Sequence, residues 1–183
     1  PEQVEAAAQA LSGYAPPPGR GTAERLTLPD GGAITLIDDA YNANPESMRA
    51  ALAGFAARPC DGRRIVALGE MLEVGVQADA EHAALAVPIA AAGTERVFLA
   101  GAGMQALLQR LPDRMESEWA ETAAGLDDVL KFTLKDGDLL LLKGSNASGM
   151  GRLADRLRQW SASAEQRLMD SGAERAARGR DAV

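Results

Sequence analysis

A turn between a predicted strand and a predicted helix, residues 38–45, carries a high concentration of polar side chains. It has the sequence Asp-Asp-Ala-Tyr-Asn-Ala-Asn-Pro. Asn44 can cap the helix, and Pro45 suits the first helical position because no amide donor is needed there. The other polar side chains have no such structural explanation, and they predict a ligand-facing turn: Asp38, Asp39, Tyr41 and Asn42. An elaborate capping loop is the structural alternative.

The two adjacent carboxylates of this turn are not expected to act as a paired acid and base. Neighbouring residues of a strand point to opposite faces, so Asp38 and Asp39 diverge. One of them can face a ligand crevice, where a carboxylate suits sugar hydroxyls. Asn42 offers both a donor and an acceptor to the edge of an adenine base. The turn is therefore a candidate nucleotide site without a certain catalytic residue.

A second polar segment, Lys143–Gly149, follows the apolar run Leu139–Leu142 and opens a predicted helix. Free amides, the helix dipole and one lysine favour an anion there. The Gly-x-x-x-x-Gly-Lys-Ser/Thr pattern of a phosphate-binding P-loop is absent from the whole sequence. The alternative interpretation is a turn in which Ser148 caps the helix and Lys143 is solvated.

Three further features predict function less strongly. Gly101–Ala106 matches the relaxed dinucleotide fingerprint, but it comes late in the chain, where a tight turn is the simpler interpretation. His82 lies in an alanine-rich helix and is predicted to be a packing or surface residue. Arg20, between two glycines, can reach a phosphate or remain a solvated linker residue.

Composition excludes several classes of function. The sequence has 183 residues, a net charge of −7, 46% hydrophobic and 4% aromatic residues. One globular domain is expected, and nucleic acid is disfavoured as a partner because it requires clustered basic and aromatic residues. Cys60 is the single cysteine and His82 the single histidine, which argues against an internal disulfide, a histidine zinc cluster and a Ser-His-Asp triad. No apolar run is long enough to span a membrane, the first residues lack a signal-peptide pattern, and a single cysteine suits a reducing compartment, so we expect a cytoplasmic protein. We also expect a monomer.

The remaining pattern alternates between strands and helices. We predict strands at 26–28, 34–37, 64–68, 96–100, 115–119 and 138–143, and helices at 45–57, 78–92 (kinked at Pro88), 104–111, 126–134 and 150–160. The first two strands flank an Asp-Gly-Gly hairpin turn. This pattern predicts a Rossmann-like α/β domain with a mostly parallel sheet, an antiparallel edge hairpin and helices on both faces. Ligands of such sheets bind beyond the carboxyl ends of the strands, at the loops 38–45, 69–76, 100–104 and 143–149.

Four segments in this order and spacing resemble the C-terminal part of the Mur ligases, which are bacterial cell-wall amino-acid ligases. They are Gly19-Arg20, the stretch 38–47, Gly69–Gly75 (Gly-Glu-Met-Leu-Glu-Val-Gly) and Lys143-Gly144-Ser145. The Tyr-Asn-Ala-Asn-Pro element resembles the member that adds D-alanyl-D-alanine to a UDP-N-acetylmuramoyl-tripeptide. The sequence starts at Pro1 rather than Met, and we expect it to be a piece of a longer protein.

The resemblance implies an ATP-dependent ligase of peptidoglycan precursor synthesis that works through an acyl phosphate. It implies that the P-loop, the Mg²⁺ ligands and the UDP site lie in other domains, so this chain alone should be inactive and should hold no metal. The expected divisions are residues 1–14 as the last helix of a preceding ATPase domain, 15–21 as a linker, 22–160 as the C-terminal domain and 161–183 as a weakly patterned, helix-compatible tail.

The resemblance also assigns two groups of site residues. Arg20, Asp39, Tyr41, Asn42 and Asn44 would line the ATP side, whereas Lys143, Gly144, Ser145 and Asn146 would border the incoming dipeptide. Relatives often carry arginine where this chain has Asn146, so the residue that holds the dipeptide carboxylate is open. A nicotinamide-dependent oxidoreductase using Gly101–Ala106, or a non-catalytic interaction domain, are the alternatives.

Overall fold

A computed structural model describes the backbone of residues 17–180 and the side chains of residues 17–173. Six strands lie in this part of the chain: β1 (Thr22–Thr27), β2 (Ala33–Asp39), β3 (Arg64–Gly69), β4 (Arg96–Ala100), β5 (Glu116–Ala120) and β6 (Leu139–Lys143). The helices are α1 (Pro45–Ala56), α2 (Ala78–Ala84), α3 (Ala86–Ala91), α4 (Gln105–Leu108), α5 (Asp127–Thr133) and α6 (Met150–Arg180).

The strands form one sheet in the order β1-β2-β6-β3-β4-β5. β1 pairs antiparallel with β2, and every other neighbouring pair is parallel. The central strand β6 is therefore covered on both faces, and its four leucines are buried. The predicted α/β class, the parallel sheet and the antiparallel edge hairpin are confirmed.

Alternation along β6 divides the core into two layers. Leu140 and Leu142 pack with residues of α5 and α6 on one face, whereas Leu139 and Leu141 pack with residues of α1, α3 and α4 on the other. Burying each such side chain contributes roughly 1.5–3 kcal/mol, so the strand stabilises both layers.

The order of the connections creates a crevice at the carboxyl edge of the sheet. From β3 to β5 the chain moves outward, with its helices on one face, and then α5 returns along the opposite face to place β6 between β2 and β3. The loops after β2 and β3 thus turn to one face, while the loop after β6 turns to the other. Ligand crevices of open parallel sheets lie at such reversals of direction.

The helix predicted at 78–92 is interrupted as expected. It forms two helices separated at Leu85. Pro88 has no amide to donate to the carbonyl of Ala84, so the hydrogen-bond ladder breaks there. The helix predicted at 104–111 is shorter, because α4 spans only Gln105–Leu108 after a 3₁₀ turn at Ala102–Met104.

Helix α6 continues without interruption to Arg180, so the segment from residue 161 onwards is helical where it is described. Near its middle this helix lies against the edge strand: the Thr27 amide donates to Ser161 Oγ (2.7 Å), and Thr27 Oγ1 donates to Glu165 Oε1 (2.7 Å). The helix predicted for residues 1–14 lies outside the described residues, and the proposed domain boundaries stay predictions.

Candidate functional site

The turn 38–45 is held by backbone contacts from residues 19–21. Gly21 donates its amide to the carbonyl of Asp38 (2.8 Å), and the Tyr41 amide donates to the carbonyl of Gly19 (2.9 Å). Residues 19–21 thus run alongside the turn. Asn44 caps α1 as predicted, in a reciprocal pair with Ser47: Asn44 Oδ1 accepts from the Ser47 amide, and the Asn44 amide donates to Ser47 Oγ.

A cation stacks on the one aromatic side chain of the turn. The guanidinium of Arg20 lies 4.2 Å from the centroid of the Tyr41 ring, and both side chains are exposed. Asn42 is also exposed, and its Oδ1 accepts from the Ala43 amide (2.8 Å); its side-chain amino group donates to no residue in the range 17–173. A flat cationic surface beside a free amide donor can take a base and a phosphate.

The two adjacent carboxylates point to opposite faces of the sheet, as strand alternation predicts. Asp38 is buried and lies 2.6 Å from Nη2 of Arg158 on α6. Asp39 Oδ2 lies on the other face, 2.8 Å from Nζ of Lys143. Each carboxylate therefore has its own cation, and the two carboxylates do not face each other.

Lys143 is buried, and its ammonium points toward the turn 38–45 rather than into solvent. Besides Asp39 it contacts the carbonyl of Asn42 (2.9 Å). Asp39 and Lys143 are register partners on the neighbouring strands β2 and β6, so the charges meet where both strands end. The alternative of a solvated Lys143 is thus wrong, because the ammonium is buried and paired with Asp39.

Ser145 joins three loops of the carboxyl edge. Its amide donates to the carbonyl of Glu70 (3.0 Å), and its Oγ accepts from the Leu72 amide (3.0 Å) and lies 3.5 Å from the carbonyl of Ala43. A Cβ on Gly144 would meet Ser148 Oγ at 2.5 Å and the Gly69 Cα at 3.0 Å, so only glycine lets the ends of β3 and β6 approach this closely. Ser148 donates to the carbonyl of Ser145 (2.6 Å) in the same loop.

The dinucleotide-like loop after β4 uses its amide internally. The Gly103 amide donates to Glu70 Oε1 (2.5 Å), so this amide is not free for a pyrophosphate. His82 is buried as a packing residue, and its Nε2 accepts from the Met71 amide (2.9 Å). Burial lowers the pKa of His82, which keeps the imidazole neutral at pH 7. These contacts support the predicted tight turn and a structural histidine.

Two clefts open at the carboxyl edge. One, here the Asn42 cleft, has a volume of about 330 Å³ and is lined by Asn42, Leu72, Glu73, Ser145, Asn146, Ala147 and Arg152. The other, here the Thr122 cleft, has about 240 Å³, and its polar lining is Glu70, Glu121, Thr122, Ser148, Arg152 and Arg156. The predicted residues Asn42, Ser145 and Asn146 therefore meet in one cleft, whereas Arg20 and Tyr41 do not line it.

The loop after β5 and Arg152 line the clefts, although neither is among the residues predicted from the sequence. The strand β5 is only partly buried, so its apolar pattern is weak and the loop that follows it was not nominated. Arg152 lies one helical turn beyond Ser148, and that spacing from a nominated loop is the signal that would have found it.

Within residues 17–173, no group of three or more histidine, cysteine, aspartate or glutamate side chains is placed to hold a metal ion. No helix in the described part of the chain is long and apolar enough to cross a membrane.

The sequence of this chain was compared with those of known proteins, and most of it matches one family. Residues 24–146 match the model of the Mur ligase, glutamate ligase domain. The UDP-N-acetylmuramoyl-tripeptide–D-alanyl-D-alanine ligase of Mycobacterium tuberculosis (strain ATCC 25618 / H37Rv) is 38% identical over 175 residues, which cover 84% of this chain and 34% of that protein. The Escherichia coli (strain K12) ligase of the same name is 31% identical over 126 residues, covering 68% of this chain and 27% of that protein.

Solved structures agree in fold. A crystal structure of MurF from Acinetobacter baumannii superposes with a TM-score of 0.70 at 24% identity, covering 85% of this chain and 34% of that one. The MurF ligase from Thermotoga maritima, crystallised in complex with ADP, gives a TM-score of 0.68 at 19% identity, covering 86% and 34%. The chain spans about a third of the length of the curated relatives that it matches over most of its length.

Proposed function

Because this chain belongs to the Mur ligase family through its glutamate ligase domain, we propose that it is the C-terminal part of an ATP-dependent ligase. This ligase joins D-alanyl-D-alanine to a UDP-N-acetylmuramoyl-tripeptide in peptidoglycan precursor synthesis. The observation that carries the proposal is the 38% identity over 84% of the chain to ligases of that name. The exposed polar groups at the carboxyl edge are consistent with a domain that contributes one side of a ligand cleft.

On the nucleotide side, Arg20, Tyr41 and Asn42 are the groups proposed to touch ATP. The support is their exposure, the Arg20–Tyr41 stack and the free amino group of Asn42. Asp39 and Asn44 belong to the same side, but their side chains are engaged with Lys143 and Ser47. Their proposed contribution is therefore to hold the turn in a shape that ATP fits.

On the amino-substrate side, the loop Lys143–Asn146 is proposed to border the dipeptide. Ser145 and Asn146 line the Asn42 cleft, next to the nucleotide-side turn. Lys143 and Gly144 lie beneath them and support the loop, the lysine through its ion pair and the glycine through close packing on Gly69.

The proposed reaction proceeds through an acyl phosphate. The γ-phosphoryl group of ATP passes to the tripeptide carboxylate and ADP leaves; the dipeptide amine then attacks the acyl carbon, and phosphate leaves as the amide bond forms. This chain contributes binding and orientation, which is how such transfers are mostly accelerated. Asp38 and Asp39 are each paired with a cation, so the described residues do not fit a Mg²⁺ site, and the metal is assigned to another domain.

We further propose the following organisation. Residues 1–14 end a preceding ATPase domain, 15–21 form the linker, 22–160 form the C-terminal domain, and 161–183 continue from it. The complete protein is proposed to be a monomer in the cytoplasm, the compartment in which ATP and a UDP-linked precursor are both present.

The test is an assay of the complete protein that carries this chain. With ATP, Mg²⁺, the UDP-tripeptide and D-alanyl-D-alanine, mass spectrometry should detect the UDP-pentapeptide, with one phosphate released per bond. Omitting any substrate should abolish the product, and the isolated 183-residue chain should be inactive because it has no P-loop. Absence of the pentapeptide in the complete assay, or turnover by the isolated chain, would contradict the proposal.

A further inference from the structure

Arg152 occupies a position shared by both clefts. It is the third residue of α6, it is exposed, and it lines the Asn42 cleft and the Thr122 cleft together with Leu72 and Ala147. Its guanidinium turns back over the start of the helix: a Cβ on Gly149 would lie 3.3 Å from Arg152 Nη2. Gly149 has φ +83°, so its missing side chain both permits the turn and makes room for the guanidinium.

The guanidinium of Arg152 has no ion pair or hydrogen bond with any residue in the range 17–173. The neighbouring cations are engaged. Lys143 pairs with Asp39, Arg156 lies 3.6 Å from Asp127, and Arg158 contacts Asp38. An uncommitted guanidinium presents two parallel N–H groups, the geometry that a carboxylate accepts bidentately.

Apart from Arg156, which lies 3.6 Å from Asp127, the other charged residues that line the two clefts are carboxylates, so an anionic group is disfavoured in these clefts except beside Arg152. Glu70 and Glu121 line the Thr122 cleft, and Glu73 lines the Asn42 cleft. These carboxylates repel an anionic group and suit an amine. Asn146, which shares the Asn42 cleft with Arg152, is neutral and supplies no charge. A zwitterionic ligand would therefore place its carboxylate at Arg152.

We propose that Arg152 positions the incoming dipeptide by binding its free carboxylate, so that the amine at the opposite end faces the activated acyl group. This assignment rests on the proposed ligase function. It makes Arg152 a specificity residue for the free C-terminal acid.

The experiment compares D-alanyl-D-alanine with its C-terminal amide as substrates of the complete protein. Wild type should prefer the acid. The variant Arg152→Ala should raise KM for D-alanyl-D-alanine by roughly 10- to 100-fold, the loss expected for a charge-assisted hydrogen-bonded pair, and should treat acid and amide alike. KM for ATP should not change. Loss of the acid preference is a result that mere loosening of the fold would not produce.

Two further variants complete the design. Arg167→Ala removes an exposed arginine from the same helix away from the clefts, and it should keep the acid preference. Asn146→Arg combined with Arg152→Ala should recover part of the preference, because both side chains line the Asn42 cleft.

The outcomes are separable. If wild type ligates the dipeptide and Arg152→Ala still prefers the acid to the same degree, the role of Arg152 is overturned while the ligase function stands. If wild type forms no product from any dipeptide, the proposed function itself fails.

Discussion

The two ends of the parallel strands use polar residues in opposite ways. At the amino edge, Asp138 is buried and accepts four hydrogen bonds, from the Arg63 amide, Nε and Nη2 and from the Lys135 amide. Arg63 Nη2 also donates to the carbonyl of Thr133 (2.8 Å). At the carboxyl edge, Asp39 and Lys143 are paired, but Arg20, Asn42 and Arg152 keep donors directed to solvent.

The difference assigns stability to the amino edge and, under the proposed function, ligand binding to the carboxyl edge. A buried carboxylate that accepts all its hydrogen bonds from the protein has no acceptor site free for a ligand. Asp138 therefore stabilises the fold, because it joins the residues that precede β3 and β6. Unpaired donors at an edge contribute no hydrogen bonds to the fold, but they can donate hydrogen bonds to a bound ligand. Both edges contain charged residues, so the two edges differ in whether the hydrogen-bond donors are paired within the protein rather than in charge itself.

The largest expected effect is at the amino edge. Asp138→Ala should destabilise the chain by about 3 kcal/mol, because it leaves the Arg63 guanidinium and two amides without their acceptor. Urea unfolding followed by circular dichroism measures this. In the complete protein at low temperature, kcat per folded molecule should be unchanged; a selective loss of ATP affinity would break the distinction between the edges.

A mixed effect is expected at Lys143, which lies at the binding edge but is buried. Lys143→Met should cost about 2 kcal/mol, because Asp39 and the Asn42 carbonyl lose their cation. It should also raise KM for ATP, since the turn 38–45 loses its support. Urea unfolding of the variant measures the loss of stability, and steady-state kinetics measure the change in KM for ATP. If stability falls while KM for ATP is unchanged, Lys143 has a structural role only.

A smaller effect, confined to binding, is expected at Asn42. Asn42→Ala should change the free energy of unfolding by less than about 0.5 kcal/mol, because the residue is exposed. It should raise KM for ATP by roughly three- to tenfold, the equivalent of one hydrogen bond, and KM for the dipeptide less. If KM for the dipeptide rises more, the assignment of this turn to the nucleotide is wrong.

The smallest effect concerns pH. The pKa of His82 is lowered by burial, so the unfolded chain binds a proton more readily than the folded chain. Stability should be full above the unfolded pKa, about 6.5, and decrease as the pH falls below it. His82→Gln should lack this part of the pH dependence between pH 7.5 and 5.5, measured by urea midpoints. A wild-type midpoint that rises on acidification in this range would contradict the burial argument.

Sequence reasoning succeeded where neighbouring residues decide the structure. The apolar run of β6, the interruption near Pro88 and the cap at Asn44 all depend on contacts or missing donors within a few residues. It succeeded again where strand alternation alone separates Asp38 from Asp39.

Contacts whose partner is distant in sequence could not be predicted from the sequence. The direction of Lys143 depends on its register with Asp39, and the occupied Gly103 amide depends on Glu70 from another loop. Neither pairing can be read from local pattern, because a lysine after an apolar strand and a glycine-rich turn have the same sequence whether or not a carboxylate lies opposite them. For the same reason the sequence did not single out Arg152, whose proposed role depends on its position between two clefts.

The contact between α6 and the edge strand β1 has a consequence for self-association. An edge strand presents outward amides that can pair with a strand of another molecule, which is a common route to aggregation. Ser161 accepts from the Thr27 amide, and the helix lies over that stretch of the edge. The long helix therefore blocks the pairing of this part of β1 with a strand of another molecule. Ending the chain before Ser161 should make edge-to-edge association of two sheets more frequent, even though every strand would remain.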